Sequence, residues 1–258
     1  MKRNLAGLAD VDHDLVIVGG GAFGACAAWE AASRGLSVAL VEKADFCGAT
    51  SANHMKFVHG GIRYLQHLDL RRVRESCYER SALLRIAPHL VQPLPILMPT
   101  YGRGFDGRLV LRAGLLLYDL ITLDRNAGIA DPDRRIPAGR MLSRDRCVAI
   151  HPDLARDDLT GAGLFHDAQF RNPPRLALAF LQSAVSRGAR IANYAEVTDF
   201  LRTDSRVIGV KVADRLTGAV MDVRGSHVLN AAGPWAADLL LNCLNLRMQP
   251  QPVFSRDA

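Results

Sequence analysis

The sequence predicts an α/β fold in which helices cover a parallel sheet, and two apolar runs with the stretch between them carry that prediction. DLVIV at 14–18 and SVALVE at 37–42 have the length and composition of buried strands. Between them, GAFGACAAWEAASRG at 21–35 is alanine-rich and closes on Gly35, as a helix would. A strand, a helix and a strand within about 30 residues form a βαβ unit, so the two strands should run parallel.

The rest of the chain is predicted to contain further helices and short strands. Apolar residues at helical spacing predict a helix at 69–87, which stops before Pro88, and another at 172–188. The apolar segment 109–123 predicts an amphipathic or buried helix. Turns at 203–205 and 216–218 separate predicted short strands at 189–194, 195–202, 206–214 and 219–225, and a returning core strand is predicted at 226–233.

A change in residue composition near residue 92 predicts a second domain that interrupts the first. The segment 93–107 mixes prolines and glycines with apolar residues, and 124–140 is a polar linker rich in Asp, Arg and Pro. We therefore assign the parallel sheet, with a small antiparallel meander around 195–224, to a discontinuous domain. That domain comprises 12–91 and 172–258, and the inserted domain comprises 92–171.

The composition narrows the classes of function. With 258 residues and 49% apolar content, the chain can bury a sizeable core. The net charge is +6, and 28 of the 32 basic residues are arginines, which suit phosphate and carboxylate ligands, although most should simply be solvated surface residues. Aromatic content is 6% and no basic run is interleaved with aromatic residues, which argues against nucleic-acid binding. A basic balance still favours contact with an anionic membrane surface.

Cysteine usage and the apolar segments bear on the cellular compartment. The five cysteines are scattered without CxxC spacing, which predicts reduced thiols, a cytoplasmic setting and no metal site. The N-terminus has no apolar signal region. The longest apolar segment, 109–123, is interrupted by Arg112 and Asp119 and is too short to span a bilayer. We expect a cytoplasmic protein, with peripheral contact at the inner face of the plasma membrane as a further expectation.

The first motif with chemical meaning is VIVGGGAFG, which places Gly19, Gly21 and Gly24 between the first strand and the first helix. In a Rossmann-like fold these glycines permit the turn, the approach of a pyrophosphate and close packing of helix on strand. Glu42 ends the second strand, 21 residues beyond Gly21, where a carboxylate can bind an adenosine ribose. Lys43 follows it. The pattern predicts a dinucleotide with an unphosphorylated ribose, such as NAD or FAD.

The loop after Glu42 favours the flavin. ADFCGATSANHMKFVHGG, from 44 to 61, offers small residues and hydroxyl groups and ends in two glycines. A nicotinamide enzyme would normally have a short loop leading to the next crossover. The segment that follows, with Arg63 and Tyr64, adds a guanidinium and a phenol.

Four segments together resemble a known family. VIVGGGAFG, GATSANHMKFVHGGIRYLQH, RSALLRIAPHL and VLNAAGPWA are similar, in this order, to the N-terminal half of the FAD-dependent glycerol-3-phosphate dehydrogenases, from about Asp14 to Asp238. These enzymes belong to the wider group that includes the D-amino-acid oxidases. The resemblance implies FAD as cofactor, a Rossmann-like FAD-binding domain and part of an interleaved substrate domain.

The resemblance also implies residue roles. For FAD, it implies contacts from Gly19, Gly21, Ala22, Gly24, Glu42 and Lys43 at the ADP half, from Thr50, Ser51, His59, Gly60 and Gly61 near the flavin, and from Val197, Ala231, Ala232 and Gly233 near the adenine and ADP portion. Arg63 would bind the substrate phosphate or hydroxyl and Tyr64 would orient the substrate, with His59 or His54 as proton acceptor. From the residues alone, Arg63 could equally be a surface residue and Tyr64 a packing residue.

The implied reaction is oxidation of sn-glycerol 3-phosphate to dihydroxyacetone phosphate, with electrons passed through FAD to a quinone. Two alternatives stay open: an FAD oxidoreductase that acts on a hydroxy acid or amine, and a flavin-binding fragment without a complete site. Members of the family are roughly twice as long as this chain. We therefore expect a fragment, a truncated gene product or one piece of a split enzyme.

Overall fold

A computed structural model describes residues 3–102, 104, 107–204 and 206–244. The strands are β1 (His13–Val18), β2 (Val38–Val41), β3 (Phe57–Val58), β4 (Val91–Tyr101), β5 (Arg140–Leu142), β6 (Leu159–Phe170), β7 (Arg190–Ala192), β8 (Ala195–Thr203), β9 (Arg206–Asp214) and β10 (Val220–Asn230). The α-helices are α1 (Ala6–Ala9), α2 (Ala22–Ser33), α3 (Leu70–Ile86), α4 (Arg108–Ile121), α5 (Arg144–Ile150), α6 (Pro173–Ser186) and α7 (Ala236–Leu244). Residues 245–258 of the predicted 172–258 segment and Ser205 of a predicted turn lie outside the described residues.

The chain divides into two compact units, which differ from the predicted domains at one boundary. Unit 1 comprises Met1–His54 and Pro173–Ala258, and unit 2 comprises Met55–Asn172. Unit 2 begins well before the predicted position 92, because β3 pairs with β6 and α3 contacts both β4 and β6. The return to unit 1 at Pro173 lies one residue from the predicted 172. The functional names given to the two domains remain predictions.

Unit 1 contains a six-stranded sheet with the order β7-β2-β1-β10-β9-β8. Strands β7, β2 and β1 run parallel to one another, and β8, β9 and the first half of β10 form an antiparallel meander. The predicted α/β fold, with a parallel sheet and an antiparallel meander, is confirmed.

Strand β10 pairs with a different neighbour in each half. Val220–Arg224 is antiparallel to β9, whereas the part from Gly225 to Asn230 is parallel to β1. The prediction of two separate strands here is wrong, because β10 continues through Gly225. A Cβ at Gly225 would lie 2.7 Å from Val16 Cγ2. This glycine therefore permits close approach of β1 and does not mark a turn.

Helices α2 and α6 cover one face of this sheet. Alanines of α2 lie against β1 and β2, and small side chains let the helix approach the strands closely. Trp29 of α2 meets Phe180 of α6 edge-on, with ring centroids 5.5 Å apart. The opposite face of the sheet buries a second cluster that includes Val16, Phe200 and Val210.

The N-terminal segment is attached to the second face of the sheet. Leu5 and Leu8 are buried in that cluster. Arg3 donates to both carboxylate oxygens of Asp214, at 2.7 and 3.2 Å, and this guanidinium is the main reason that the pKa of Asp214 falls to about 2. Arg190 donates to the carbonyl of Gly7. The segment before β1 is therefore part of the fold of unit 1.

His13 is expected to make unit 1 less stable in mild acid. Its side chain is 3% exposed, and burial is the main reason that its pKa lies below the ordinary value of 6.5. The unfolded chain would therefore take up a proton at a higher pH than the folded chain does. As the pH falls below about 6.5, the free energy of unfolding should decrease until the pH reaches the lower folded pKa.

Urea unfolding between about pH 7 and pH 5 measures this effect. His13→Gln should flatten the dependence in part, because burial also lowers the pKa of His166 in unit 2. His227 is exposed on β10, so His227→Gln should keep the wild-type dependence. Equal slopes for wild type and His13→Gln would contradict the expectation.

Unit 2 is built on a second, largely antiparallel sheet. The order β3-β6-β4 is joined by β5, which also pairs with β6. Sequence reasoning did not predict β4 and β6, because Pro93, Pro95 and Pro99 interrupt the apolar pattern of β4. In this sheet β4 pairs only with β6, and an edge strand tolerates prolines because one row of its N–H groups has no ladder partner to lose. Helices α3, α4 and α5 pack on this sheet.

Helix α4 is the predicted apolar helix. Leu115 and Tyr118 are buried on one side, whereas Leu109, Leu116 and Leu120 are between 59 and 80% exposed. Within the described ranges, no helix combines the length and the apolar character needed to cross a membrane.

Candidate functional site

The glycine-rich turn after β1 is shaped by close backbone contacts. Gly19 has a φ of +112°, a conformation that favours glycine. A Cβ on Gly19 would overlap the carbonyl oxygen of Ala231, and the Ala231 N–H donates to the carbonyl of Val18 at 2.8 Å. The predicted segments at 19–24 and 230–233 therefore meet in unit 1.

Helix α2 starts immediately after this turn. A Cβ on Gly24 would overlap the carbonyl oxygen of Gly19, so the third glycine of the motif is required for the helix to pack against the turn. Gly21 is the N-cap residue, in extended conformation, and as a glycine it has no side chain of its own with which to cap the helix. The Ala22 N–H donates to Ser51 Oγ at 2.9 Å. The predicted residues Ala22 and Ser51 are thus brought together.

Glu42 binds the same turn from the end of β2. Its Oε2 accepts from the Gly20 N–H at 2.7 Å, and its Oε1 accepts from the Ala44 N–H at 2.8 Å. A Cβ on Gly20 would lie 2.9 Å from the Glu42 Cβ and 2.6 Å from Phe46 Cδ1. Each carboxylate oxygen has a second lone pair and can still accept from a ribose hydroxyl.

These features fit the pyrophosphate of a dinucleotide. The turn has no side chain at three successive positions, 19 to 21. It leads into a twelve-residue helix with no acidic residue in the first turn. Backbone N–H groups and the helix dipole at such a terminus attract phosphate. Unit 1 therefore offers the geometry expected for the ADP half of a cofactor.

Two further predicted residues lie beside the end of β2. The Lys43 ammonium lies 3.8 Å from the centroid of the Trp235 ring. In the chain, Trp235 comes shortly after the predicted residues Ala231, Ala232 and Gly233. The N–H of Ala195, at the start of β8, donates to the carbonyl of Glu42 at 2.8 Å. Val197, two residues further along β8, is partly buried against the core and paired with Val212.

The loop after β2 carries the other predicted residues of unit 1. Thr50 and His54 are exposed. Cys47 is buried with a φ of +60°, and its thiol lies 3.4 Å from the carbonyl of Gly20. Burial, together with the nearby charges of Glu42 and Asp45, raises the pKa of Cys47 to about 11. The thiol is therefore protonated at neutral pH and is a packing group.

The segment from His59 to Tyr64 belongs to unit 2. The rings of His59 and Tyr64 meet edge-on with centroids 5.9 Å apart, and the Arg72 guanidinium lies 5.7 Å from the Tyr64 centroid. Arg63 is exposed and forms no ion pair with any residue that the structure describes. Unit 2 therefore presents an imidazole, a phenol and an exposed guanidinium within six residues.

The two glycines of this segment have internal reasons to be glycine. A Cβ on Gly60 would lie 2.5 Å from Cζ of Arg80 and would overlap the hydroxyl of Tyr118. Gly61 has a φ of +82°, and a Cβ there would lie 2.9 Å from the Cβ of Ser76 on α3. Packing within unit 2 thus requires both glycines, independently of any ligand.

A buried polar network surrounds Gly60. Arg80 is fully buried and donates to Asp167 Oδ1 at 2.7 Å and to the carbonyl of His166 at 3.1 Å. The same Asp167 oxygen accepts from the Gly60 N–H at 2.6 Å. The Tyr118 hydroxyl donates to the Gly60 carbonyl at 3.0 Å, and burial raises the pKa of this phenol far above its ordinary value, which keeps it a donor.

Sequence reasoning missed the residues that support the site. These are Gly20, Arg72, Arg80, Tyr118, Asp167 and Trp235. Asp167 had a signal, because it is a lone carboxylate in the mostly apolar run LTGAGLFHDAQF. A carboxylate inside a strand of that kind needs a buried partner. No signal identified the partner, which lies 87 residues earlier in the chain.

The parallel sheet, the glycine-rich turn after β1 and the carboxylate after β2 define a Rossmann-like dinucleotide-binding protein. The profile of the family "FAD dependent oxidoreductase" (DAO) matches residues 14–256, and the chain belongs to this family. FAD as the cofactor of the family, predicted from the sequence, is confirmed.

Curated relatives confirm the resemblance to glycerol-3-phosphate dehydrogenases. The enzyme of that name from Mycobacterium leprae is 39% identical over 227 residues, which are 88% of this chain and 37% of that protein. The mitochondrial glycerol-3-phosphate dehydrogenase of Homo sapiens is 40% identical over 237 residues, covering 87% of this chain and 31% of that protein. The chain thus spans well under half the length of these relatives.

Solved structures agree with this family. Glycerol-3-phosphate dehydrogenase from Bacillus halodurans, solved with FAD, matches with a TM-score of 0.67 and 28% identity over 92% of this chain and 37% of that one. Glycine oxidase from Bacillus cereus matches with a TM-score of 0.57 and 24% identity, over 89% of this chain and 59% of that one. The second likeness extends to the fold alone.

Proposed function

We propose that this chain takes part in the FAD-dependent oxidation of sn-glycerol 3-phosphate to dihydroxyacetone phosphate. The observation that carries the proposal is Arg63, an exposed guanidinium that forms no ion pair with a described residue and is followed directly by Tyr64. A phosphate dianion needs such a partner, and a guanidinium can bind it through two parallel hydrogen bonds. The names of the relatives support this choice of substrate.

FAD is proposed to be held by the residues that the sequence predicts for its ADP half and for its flavin half. In unit 1, the turn from Gly19 to Gly24 binds the pyrophosphate, Glu42 binds the ribose, and Lys43, Val197 and Ala231 to Gly233 contact the adenosine portion. The flavin half is contacted by residues of the segment 50–61, as the family resemblance implies: Thr50, Ser51, His59, Gly60 and Gly61. The fit of the turn to a pyrophosphate supports the first of these assignments.

Bound FAD supplies an acceptor for the hydride that leaves the carbinol carbon of the substrate. For this reaction, Arg63 binds the phosphate of the substrate, and the Tyr64 hydroxyl orients the secondary alcohol. His59 takes the hydroxyl proton, since its ring lies against Tyr64 in the same segment of unit 2. His54, which is exposed in the loop after β2, is the second histidine considered as the base.

A quinone is proposed as the final electron acceptor, reached by peripheral contact with the inner face of the plasma membrane. Exposed leucines of α4, with Arg108 and Arg112 on the same helix, support contact with an anionic bilayer surface. The two electrons that leave the alcohol as hydride would reduce one quinone to its quinol.

Anaerobic titration of the FAD-loaded chain tests the proposal. Glycerol 3-phosphate should bleach the visible flavin bands, and anionic vesicles that carry a quinone should restore them. Arg63→Ala should raise the substrate concentration for half-bleaching by roughly 10²-fold, because a charge-assisted bidentate contact is lost. Arg71→Ala is the matched control, since Arg71 is an exposed arginine nearby on α3 that already pairs with Glu75.

The alternatives give different results in the same titration. Bleaching by a 2-hydroxy acid or an amino acid, with none by glycerol 3-phosphate, would assign another substrate class. Flavin that binds but is bleached by no donor would identify a flavin-binding fragment without a complete site.

A further inference from the structure

The backbone of Gly60 is held by side chains of unit 2 at both its N–H and its carbonyl. Its N–H donates to Asp167 Oδ1 at 2.6 Å, and its carbonyl accepts from the Tyr118 hydroxyl at 3.0 Å. Both contacts are buried.

The groups that hold Gly60 are themselves fixed. Arg80 is fully buried, and its ion pair with the buried Asp167 has a separation of 2.7 Å. Tyr118 is 4% exposed in the middle of α4. The missing Cβ of Gly60 leaves the space that Arg80 and Tyr118 occupy. Helices α3 and α4 and strand β6 thus converge on one residue, Gly60.

Burying ionic groups costs desolvation free energy, so stability alone does not explain a buried ion pair. An apolar pair of similar volume would often stabilise a protein equally well or better, so a buried pair is weak evidence for a role in stability. A buried pair with good geometry does fix the position of whatever it bonds. In unit 2 it bonds the segment that carries His59, Arg63 and Tyr64.

We propose that Tyr118 and the Arg80–Asp167 ion pair are positioning residues, which fix the backbone of Gly60 so that the segment His59–Tyr64 binds flavin and substrate. The proposal rests on the proposed function of that segment. It also has a consequence for the contacts themselves: because the Gly60 N–H is bonded to Asp167, this N–H is not the group through which Gly60 contacts the flavin.

Tyr118→Phe in the 258-residue chain tests the proposal, because it removes only the hydroxyl that holds the Gly60 carbonyl. Amides of residues 57–64 in the FAD-free chain should exchange with deuterium roughly tenfold faster than in wild type. At saturating FAD, the circular dichroism of the flavin bands should change, and the concentration of glycerol 3-phosphate for half-bleaching should rise. Tyr78→Phe, on exposed Tyr78 of α3, should leave all three readouts unchanged.

A role in stability alone predicts another pattern. Tyr118→Phe would then lower the thermal midpoint, but the saturated flavin spectrum and the half-bleaching concentration would equal those of wild type, and this outcome overturns the positioning role. Asp167→Asn provides a second test, since it keeps the shape of the side chain but removes the charge that pairs with Arg80. If the wild-type chain binds no FAD, the proposed function fails and the positioning role fails with it. If the wild-type chain binds FAD but the variants have the same flavin spectrum and half-bleaching concentration as wild type, only the positioning role fails.

Discussion

Gly24→Ala is expected to lower the free energy of unfolding by about 2–3 kcal/mol, as an overpacking substitution in a tightly packed site does. Its added methyl group would overlap the carbonyl oxygen of Gly19, which is backbone and cannot rotate away. Helix α2 would have to shift away from β1, and the turn that fits the pyrophosphate would shift with it. FAD affinity should therefore fall at least tenfold, measured by flavin fluorescence on titration.

Gly114→Ala is the matched control for this substitution. Gly114 also lies within a helix, α4, but a Cβ there meets no atom within 4 Å. Alanine should stabilise α4 by up to about 1 kcal/mol, because glycine is the weaker helix former. If both variants changed stability in the same direction, the contact between Gly24 and Gly19 could not be the cause of the first effect.

Arg80→Met is expected to lower the free energy of unfolding by about 3–5 kcal/mol, the usual cost of removing one member of a buried ion pair. Met fills much of the space of the arginine stem but leaves the Asp167 carboxylate buried without its cation. Of the described donors that bond this carboxylate, only the Gly60 N–H would remain. Chemical denaturation followed by circular dichroism measures the difference.

Arg74→Met tests whether burial is the reason. Arg74 lies on the same helix, α3, and pairs with Asp124, but both side chains are more than half exposed. Exposed pairs contribute about 0–1 kcal/mol, so this variant should remain close to wild type. If both variants lost the same free energy of unfolding, burial of the Arg80–Asp167 pair could not be the reason for the loss in Arg80→Met.

The βαβ unit could be predicted because its signals are local. Apolar runs at 14–18 and 37–42, with glycines and a carboxylate at fixed spacing, each reflect a constraint that acts within a few residues. The predicted strand end at Gly225 was wrong, because a glycine in a strand pattern can mark either a turn or the close approach of a neighbouring strand. Only the position of β1 decides between the two.

The predicted residues of the site were easier to find than the residues that hold them. Glu42 and the glycines of the turn are recognisable from sequence, and the structure brings them together. The reason for Gly60 could not be read from the sequence, because Arg80 and Tyr118 fill its missing side chain from two other helices. The early start of unit 2 was missed for the same reason, since β3 is two residues long and is defined by its pairing with β6.

The bond between Gly60 and Asp167 also sets an order of events during synthesis. The two residues are separated by 107 positions, so the ribosome must add all of β4, α4 and most of β6 before the carboxylate exists. Until then the Gly60 N–H has no carboxylate to bond, and of the two side chains that hold Gly60 only Tyr118 has been added. The part of the chain proposed to meet flavin and substrate therefore becomes ordered late in translation, after the glycine-rich turn that precedes it has its own strand and helix in place.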